Sequence, residues 1–346
     1  MAGPILITGG AGFFGGLLTR RLLDGGGDCV VLDLQDPDFS HPRLTAIKGD
    51  IRDAAFVDGL FDTHRFETVH HCAAILAHAV KDKAFLWQSN VDGTRNLAEA
   101  AVRSGVNSLV FISSNCLWAD NKHRPVTEED VPAPVEIYGR SKWAAEQVLD
   151  AYRDRLNVVA IRAPTIVDEG RLGLLAILFE FIDEGRKVWV VGGGENRYQF
   201  IYAQDLVNAC IAAADLGQSD LFNIGSDNVT TFRETYQYVI DRAGASARIA
   251  SLPKAPTLAA MRLAHALGVS PLGPYQYRMI AEDFEFDTSR IKARLGWRPT
   301  LSNSEMLWRA YGYYQRNRRA IAARKDVSAH RQAARMGVIR LLKWVS

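Results

Sequence analysis

The segment Ile5-Leu6-Ile7-Thr8-Gly9-Gly10-Ala11-Gly12-Phe13-Phe14-Gly15 decides the fold of this chain. A short β-branched run leads directly into a glycine-rich turn, and a helical pattern follows. Glycines in such a turn let the backbone approach a pyrophosphate closely, and the helix N-terminus then offers amide donors to it. We therefore expect this turn to bind a dinucleotide through Gly9, Gly12, Phe13, Phe14 and Gly15.

Strand-like runs alternate with helical patterns through the first half of the chain. Strands are predicted at Ile5–Thr8, Cys29–Asp33, Leu44–Lys48, Thr68–Ala73, Ser108–Ser113 and Val158–Arg162. Helices are predicted at Phe14–Asp24, Phe85–Ser104 and Ser141–Arg155. This alternation is typical of an α/β fold with a Rossmann-type, doubly wound parallel sheet, in which ligands bind beyond the carboxyl ends of the strands.

An acidic residue at the end of the second predicted strand indicates which dinucleotide is bound. Asp33 lies near the expected distance from the glycine-rich turn for a carboxylate that bonds the adenosine ribose hydroxyls. That carboxylate would repel a 2′-phosphate, and no arginine follows immediately. We expect NAD rather than NADP.

The second half of the chain is less regular and suggests a smaller lobe. Its predicted elements are helices at Leu172–Glu184, Asp205–Ala214, Phe232–Ala243 and Leu307–Arg318, strands at Val188–Val191, Phe200–Ala203 and Leu221–Ile224, and loops around Pro253, Pro256, Pro271 and Pro274. We assign residues 1–165, with 200–225 returning to them, to an NAD-binding domain. Residues 166–199 and 226–317 then form an interwoven substrate lobe, and 318–346 a basic tail.

A tyrosine and a lysine four residues apart suggest the chemistry. Tyr138 and Lys142 lie one above the other on a helix face. A phenol has a pKa of about 10, so it is a poor base at neutral pH unless a nearby cation stabilises the phenolate. Lys142 can do this and can also bond the nicotinamide ribose. The strand before this helix delivers Ser113 and Ser114 to the carboxyl edge of the sheet, where a hydroxyl can orient an alcohol or a carbonyl.

At this point the chain resembles the extended short-chain dehydrogenase/reductase family, in its NAD-dependent epimerase/dehydratase branch. The resemblance spans roughly residues 3 to 315. It rests on Thr8-Gly9-x-x-Gly12-x-x-Gly15, Gly49-Asp50-Ile51-Arg52-Asp53, His71-Cys72-Ala73-Ala74, Asn90-Val91-Asp92-Gly93-Thr94, Ser113-Ser114, Tyr138-x-x-x-Lys142, Phe222-Asn223-Ile224-Gly225 and Leu295-Gly296-Trp297-Arg298-Pro299.

The resemblance implies roles for individual residues. Tyr138 would be the acid/base, Lys142 its activator, and Ser114 the orienting hydroxyl; Ser114 is preferred to Ser113 because it lies four residues before Trp118, the spacing of the family hydroxyl. Asp50 and Ile51 would flank the adenine, Ala73 and Ala74 would line the path to the nicotinamide ribose, and Asn90 would brace the active-site side. Pro164 completes the expected cofactor contacts.

The family comparison also narrows the reaction. Dehydratases of this family carry an Asp-Glu pair after the catalytic hydroxyl, whereas Asn115 and Cys116 stand here, so dehydration is disfavoured. Epimerases carry Arg-x-x-Asn on the strand near the substrate, whereas Thr165 replaces the Asn after Arg162. Arg197 is offset by one from the family arginine that holds the substrate diphosphate. The candidate substrate residues are Ser113, Asn115, Thr165, Arg197 and Arg278.

Three functions stay open at this point. The first is an epimerase-like oxidoreductase acting on a nucleotide sugar. The second resembles 3β-hydroxysteroid and sterol dehydrogenases and would use apolar segments at 174–179 and 261–267 as its pocket. The third is a non-catalytic NAD sensor, which the intact Ser114, Tyr138 and Lys142 disfavour.

Composition and residue spacing indicate what class of protein this is and which ligands it would bind. Hydrophobic residues make up 48% of the 346 and charged residues 23%, which is ordinary for a globular protein. The four cysteines have no metal-ligand spacing, and His70 and His71 face opposite sides of a strand, so we expect no metal. No targeting signal or membrane-spanning run is visible, and we expect a cytoplasmic homodimer with a small-molecule substrate.

The charge is uneven along the chain. Residues 316–346 carry a net +8 and the remaining residues −6, so the body offers no general nucleic-acid surface. The end of the tail has a short apolar stripe at Val338, Leu341, Leu342 and Val345. It would dock on the protein or a partner subunit, or lie as a peripheral contact on an anionic membrane.

Overall fold

A seven-stranded parallel sheet forms the centre of the molecule. The computed structural model describes residues 3–76, 82–118, 122–171, 173, 175–267, 277 and 279–323. The strands of the large sheet are β1 (Ile5–Thr8), β2 (Cys29–Asp33), β3 (Leu44–Lys48), β4 (Thr68–His71), β5 (Ser108–Ser114), β6 (Asn157–Ala163) and β10 (Asp220–Asn223). Their spatial order is β10-β6-β5-β4-β1-β2-β3, and every pair is parallel. The predicted Rossmann-type α/β fold is confirmed.

The helices of the described residues cover both faces of this sheet and form part of the smaller lobe. They are α1 (Phe13–Asp24), α2 (Ala54–Thr63), α3 (Lys83–Trp87), α4 (Gly93–Arg103), α5 (Ile137–Asp150), α6 (Leu175–Asp183), α7 (Ala203–Ala214), α8 (Phe232–Ala243), α9 (Lys254–Ala266), α10 (Ser289–Leu295) and α11 (Asn303–Ala323). Successive side chains of β6 point to opposite faces. Val158 and Ala160 pack beneath α2, α4 and α5, whereas Val159 and Ile161 pack beneath α1 and α7.

The helix prediction differs from the structure in two places. The pattern at Phe85–Ser104 predicted one helix, but a π-helical turn at Gln88–Asp92 separates α3 from α4. The prediction also missed α2, which the Asp53 side chain caps by accepting from the Phe56 amide at 3.0 Å. A capping aspartate of this kind is a local start signal for a helix.

The order of the strands places the ligand site. The chain leaves β1 toward β2 on one side and later returns to β4 on the other, so the topology reverses between β1 and β4. A crevice opens beyond the carboxyl ends of the strands at such a point. Thr8, Asp33, His71 and Ser114 end their strands at this edge.

The smaller lobe has a core of its own. Strand β7 (Thr165–Val167) pairs with β9 (Phe200–Tyr202), and β8 (Lys187–Val191) pairs with β11 (Arg248–Leu252). Helices α6, α8 and α11 pack around them with many aromatic side chains, among them Phe179, Tyr198, Phe200, Phe232 and Tyr311. Strand β10 belongs to the large sheet, and helix α7 packs against it.

The expectation of loops around Pro253 and Pro256 was wrong, because α9 begins at Lys254. Pro256 lies in the first helical turn, where a missing amide hydrogen costs little. The apolar segments considered for a steroid pocket do not form one in the described residues. Residues of α6 fill the core of the smaller lobe, whereas Leu263 and Leu267 near the end of α9 are 63% and 68% exposed.

The basic tail lies outside the described residues from 324 onward, as do Leu174 and Arg278. Within the described part of the chain, no helix is long and apolar enough to cross a membrane.

Candidate active site

The turn after β1 has the shape that a pyrophosphate needs. Gly9 has a φ of +73°, and a side chain there would put its Cβ 2.7 Å from the backbone of Ala73. A Cβ at Gly15 would lie 2.2 Å from the Gly9 carbonyl oxygen. Helix α1 begins immediately after Gly12, which has no side chain to cap it, so the first amides of the helix point toward the crevice. This cradle fits a dinucleotide phosphate.

Asp33 stands beside the cradle at the end of β2. One carboxylate oxygen accepts from the Ala11 amide at 3.0 Å, and the other accepts from the Gln35 amide at 3.1 Å. Burial raises the pKa of Asp33, and these backbone donors act against that rise. The carboxylate is thereby oriented at the edge where a ribose would lie.

The turn after β3 carries Asp50 and Ile51, the residues that we expect to flank the adenine. The Asp50 carboxylate is ion-paired with Arg52 at 2.6 Å. Ile51 is buried, and its side chain fills the space that a Cβ at Gly93 would need. Of the two residues, only Asp50 keeps part of its side chain exposed at this edge.

Asn90 links three elements at the edge of the site. Its side-chain oxygen accepts from the Ile75 amide at 2.7 Å, and its amide nitrogen donates to the Ser141 hydroxyl at 3.0 Å. The bond to Ile75 holds the chain just after Ala73 and Ala74, and the bond to Ser141 reaches α5. The π-helical turn that contains Asn90 directs this side chain inward, where it is buried.

Ser114, Tyr138 and Lys142 converge at the carboxyl edge. Ser114 is the last residue of β5, Tyr138 lies in the first turn of α5, and Lys142 lies one turn further. The Ser114 hydroxyl lies close enough to the Tyr138 phenol to act on its pKa. The Lys142 side chain is 3% exposed, and its ammonium lies 3.9 Å from the centre of the Phe111 ring. The three residues that the sequence analysis predicted to act together are therefore neighbours in space.

Burial dominates the electrostatics of this group. It raises the pKa of the Tyr138 phenol well above its ordinary value, and the Arg171 guanidinium and the Ser114 hydroxyl act in the opposite direction. Burial also lowers the pKa of Lys142 to about 7, against the attraction of the Glu146 carboxylate. Burial thus destabilises both the Tyr138 phenolate and the Lys142 ammonium, so each charged form depends on oppositely charged neighbours.

Sequence reasoning missed two charged residues near this group. Arg171 extends toward the Phe13 ring, whose centre lies 6.0 Å from the guanidinium carbon, and it interacts with Tyr138. Its position in an irregular loop after β7 carries no motif. Glu146 follows Lys142 by four residues, and this helical spacing was the available signal.

Each described candidate substrate residue has a polar partner within the protein. The Ser113 hydroxyl donates to Glu146, and the Asn115 amide donates to the Tyr198 hydroxyl at 2.6 Å. The Thr165 hydroxyl lies 3.8 Å from the sulfur of Met279. Arg197 is exposed, and its guanidinium donates to the Val229 carbonyl at 3.2 Å.

The position one residue after Arg197 is occupied by a tyrosine that is 2% exposed, Tyr198. Arg162, the other arginine of the epimerase pattern, is 2% exposed and ion-paired with Glu146 at 2.7 Å, so it lies behind the crevice.

Comparisons with known proteins identify the family of this chain. Residues 5–225 match the family model described as the NAD dependent epimerase/dehydratase family. An uncharacterized protein of Sinorhizobium fredii, y4nG, is 39% identical over 98% of this chain and 85% of its own length. The UDP-glucose 4-epimerase of Mycolicibacterium smegmatis is 28% identical over 90% of this chain and 98% of its own.

Among solved structures, UDP-glucose 4-epimerase from Thermotoga maritima with UDP-glucose aligns with a TM-score of 0.75 and 25% identity. The alignment covers 91% of this chain and 99% of that one. The matched family region includes the glycine cradle and the Ser114, Tyr138 and Lys142 group. This chain belongs to the NAD-dependent epimerase/dehydratase family of extended short-chain dehydrogenases/reductases, and its cofactor is NAD.

Proposed function

We propose that this protein is an epimerase that interconverts a secondary alcohol and a ketone on a nucleotide sugar. The observation that carries the proposal is the placement of Ser114 at the end of β5, near enough to Tyr138 on α5 to act on its pKa, beside the buried Lys142. This group lies at the same strand edge as the phosphate cradle, so a sugar held there would face both the acid/base and the cofactor.

The residues of the cradle and the adjoining strands would hold NAD. Backbone amides at the start of α1 would bind the pyrophosphate, and Asp33 would bond the adenosine ribose hydroxyls. Lys142 would bond the nicotinamide ribose. Bound NAD supplies a reversible hydride acceptor for the alcohol carbon.

Tyr138 then moves the proton. Its phenolate accepts the hydroxyl proton as the alcohol becomes a ketone, and its phenol returns that proton when the alcohol forms again. The Ser114 hydroxyl orients the reacting oxygen. The Arg171 cation favours the phenolate, which burial alone would disfavour. The Lys142 ammonium, one helical turn from Tyr138, would add to this effect. Inversion of the carbon follows when the ketone presents its other face before reduction.

Support for a nucleotide sugar comes from the relatives, two of which are named UDP-glucose 4-epimerases. A dehydratase reaction is disfavoured because Asn115 and Cys116 offer no carboxylate pair next to Ser114. None of the relatives described above is a steroid dehydrogenase, and the apolar segments that such a pocket would need lie in the core or at the surface.

The test is a substrate panel. Purified protein with NAD is incubated separately with UDP-glucose, UDP-galactose, UDP-N-acetylglucosamine and UDP-glucuronic acid, and proton NMR follows the sugar signals. We expect the epimer of at least one of these to appear without net accumulation of NADH. Steady accumulation of NADH with a ketone product would instead show a simple dehydrogenase. No reaction with any nucleotide sugar would overturn the substrate proposal.

A further inference from the structure

A buried polar cluster lies directly behind the Ser114, Tyr138 and Lys142 group. The Glu146 carboxylate receives two kinds of donor. The Arg162 guanidinium donates to it at 2.7, 3.1 and 3.2 Å, and the Ser113 hydroxyl donates to the same carboxylate. Arg162 also stacks over the Trp118 ring at 4.9 Å. Glu146 is 7% exposed and Arg162 is 2% exposed, so the pair is almost dry.

The topology attaches this cluster to the reacting residues at two points. Ser113 and Arg162 are register partners on the neighbouring strands β5 and β6, and Ser113 immediately precedes Ser114. Glu146 lies on α5 four residues after Lys142, so the two side chains share one helix face. The cluster therefore touches both the strand that carries the hydroxyl and the helix that carries the cation.

Stability alone does not account for such a pair. The attraction between two buried charges is offset by the cost of removing both from water, and well-packed apolar residues of similar volume often serve as well. A dry carboxylate one helical turn from a lysine does have a second effect. It favours the charged form of that lysine, which burial disfavours.

We propose that Glu146 is a positioning residue, which keeps Lys142 charged against Tyr138 while Ser113 and Arg162 hold its carboxylate in place. The proposal rests on the proposed function, because it gives Lys142 the role of activator. It assigns the Arg162–Glu146 pair to the reaction machinery, although neither side chain faces the crevice.

Several charged or titratable groups face Lys142 and Glu146. Cys72 after β4 and Cys116 after β5 would favour the Lys142 ammonium only as thiolates. Burial raises the pKa of Cys72 to about 12 and lowers the pKa of His71 to about 3, so both are neutral near pH 7. Glu146 itself faces Lys142 on its own helix and Arg162 and Ser113 on the sheet. Glu146 is the carboxylate among the groups that face Lys142.

The test reads the charge of Lys142 without using a substrate. Because the pKa of Lys142 is about 7 in the folded chain and about 10.5 ordinarily, the unfolded chain binds more protons between these values. The wild-type protein should therefore gain stability relative to Lys142→Met as the pH rises from about 7 toward 10.5. Urea unfolding of both proteins across this range locates the pH at which the gain begins.

The Glu146→Gln variant is then compared in the same way with the double variant that carries both Glu146→Gln and Lys142→Met. We expect the gain to begin about one pH unit lower, because the folded chain then releases the lysine proton more easily. Glu146→Asp keeps the charge and should leave the onset near pH 7. Asp150→Asn is the matched control, since it makes the same change one turn further along α5, where Asp150 is paired with Arg153.

An onset that stays at the wild-type pH in Glu146→Gln would overturn the proposal and leave Glu146 a purely structural residue. Should Glu146→Gln fail to fold, the variant that also carries Arg162→Gln removes both charges and leaves no unpaired ion. Its onset is still expected to lie below that of the wild type.

Once a substrate is known, the pH dependence of kcat gives a second readout. Activity that needs the Lys142 ammonium is lost at high pH. The high-pH limb of the kcat profile should therefore move to lower pH in Glu146→Gln. If Tyr138→Phe and Lys142→Met were both fully active, the proposed function would fail whatever the unfolding data showed. An inactive Tyr138→Phe together with an unmoved onset would instead reject the role of Glu146 alone.

Discussion

The side-chain amide of Asn115 donates to the Tyr198 hydroxyl at 2.6 Å, although the two residues lie 83 positions apart. Asn115 directly follows Ser114 at the end of β5, and Tyr198 belongs to the aromatic core of the smaller lobe, stacked parallel to the Phe232 ring at 6.2 Å. This bond joins the edge that carries the proposed chemistry to the lobe that would hold the sugar.

Removing this bond should weaken both the fold and substrate binding. Tyr198→Phe leaves the buried Asn115 amide with one partner fewer, and we expect a loss of about 1–3 kcal/mol in the free energy of unfolding. KM should rise more than kcat falls, because the bond orders the two lobes rather than the proton transfer. Tyr236→Phe, in the same aromatic cluster, is the control and should change neither. An unchanged unfolding energy in Tyr198→Phe would contradict the importance of the bond.

Tyr138→Phe should abolish turnover and leave NAD binding nearly intact. The phenol acts in proton transfer, whose loss typically costs about 10²–10⁴-fold in rate. Epimer formation by NMR and NAD titration by fluorescence measure the two properties. Tyr152→Phe, which removes a phenol hydroxyl that contacts Glu99 outside the site, should be as active as the wild type. More than a few per cent of activity in Tyr138→Phe would remove this residue from the acid/base role.

Asp33→Asn should weaken NAD binding and narrow the preference over NADP. A hydrogen bond to a charged group contributes about 1.5–3 kcal/mol, so the loss should be roughly tenfold or more. Without the carboxylate, a 2′-phosphate is no longer repelled. Isothermal titration with both dinucleotides measures the ratio, and the exposed Asp36→Asn is the control. Tighter binding of NADP than of NAD by the wild type would show that Asp33 points elsewhere.

Acid should destabilise the protein through its buried histidines His70 and His71, and His70 is the one to test. Burial lowers the pKa of His70 to about 4, below its ordinary 6.5, and its Nδ1 has no hydrogen-bond partner. The unfolded chain therefore binds more protons between pH 4 and 6.5, and stability is lost as the pH falls through that window. The difference between the two pKa values corresponds to a loss of about 3 kcal/mol in the free energy of unfolding by pH 4.

His70→Leu should remove this part of the acid loss, so that the variant overtakes the wild type in urea unfolding as the pH drops. The same change at the exposed His265 is the control and should show no such crossover. Equal pH dependence in His70→Leu and the wild type would mean that other groups dominate the acid transition.

Arg171→Met should slow the reaction at neutral pH. The guanidinium favours the Tyr138 phenolate, so its loss raises the pKa of the phenol and moves the acid limb of the rate profile to higher pH. A change of one pKa unit corresponds to about a tenfold loss on that limb. Arg171→Lys keeps the charge and should recover part of the rate. An unmoved acid limb in Arg171→Met would leave Arg171 without influence on the proton transfer.

Much of the fold followed from local sequence. Strands such as Cys29–Asp33 were predicted with their observed bounds, because a run of apolar β-branched residues specifies a buried strand within a few positions. Helix α9 was missed for a related reason. Its prolines signal a break, and only their place in the first turn makes them compatible with a helix.

Some parts of the candidate site could likewise be predicted from local sequence, whereas others depend on contacts between residues far apart in the chain. The glycine turn, Asp33 and the pair Tyr138 and Lys142 could be recognised from the chain alone, because turn chemistry and helical spacing act over short distances. The surroundings of these residues depend on side chains brought from far along the chain. Arg162 meets Glu146, Tyr198 meets Asn115, and Arg171 approaches Tyr138 only after the sheet and the smaller lobe have packed, and burial then sets the charges on which the proposed chemistry depends.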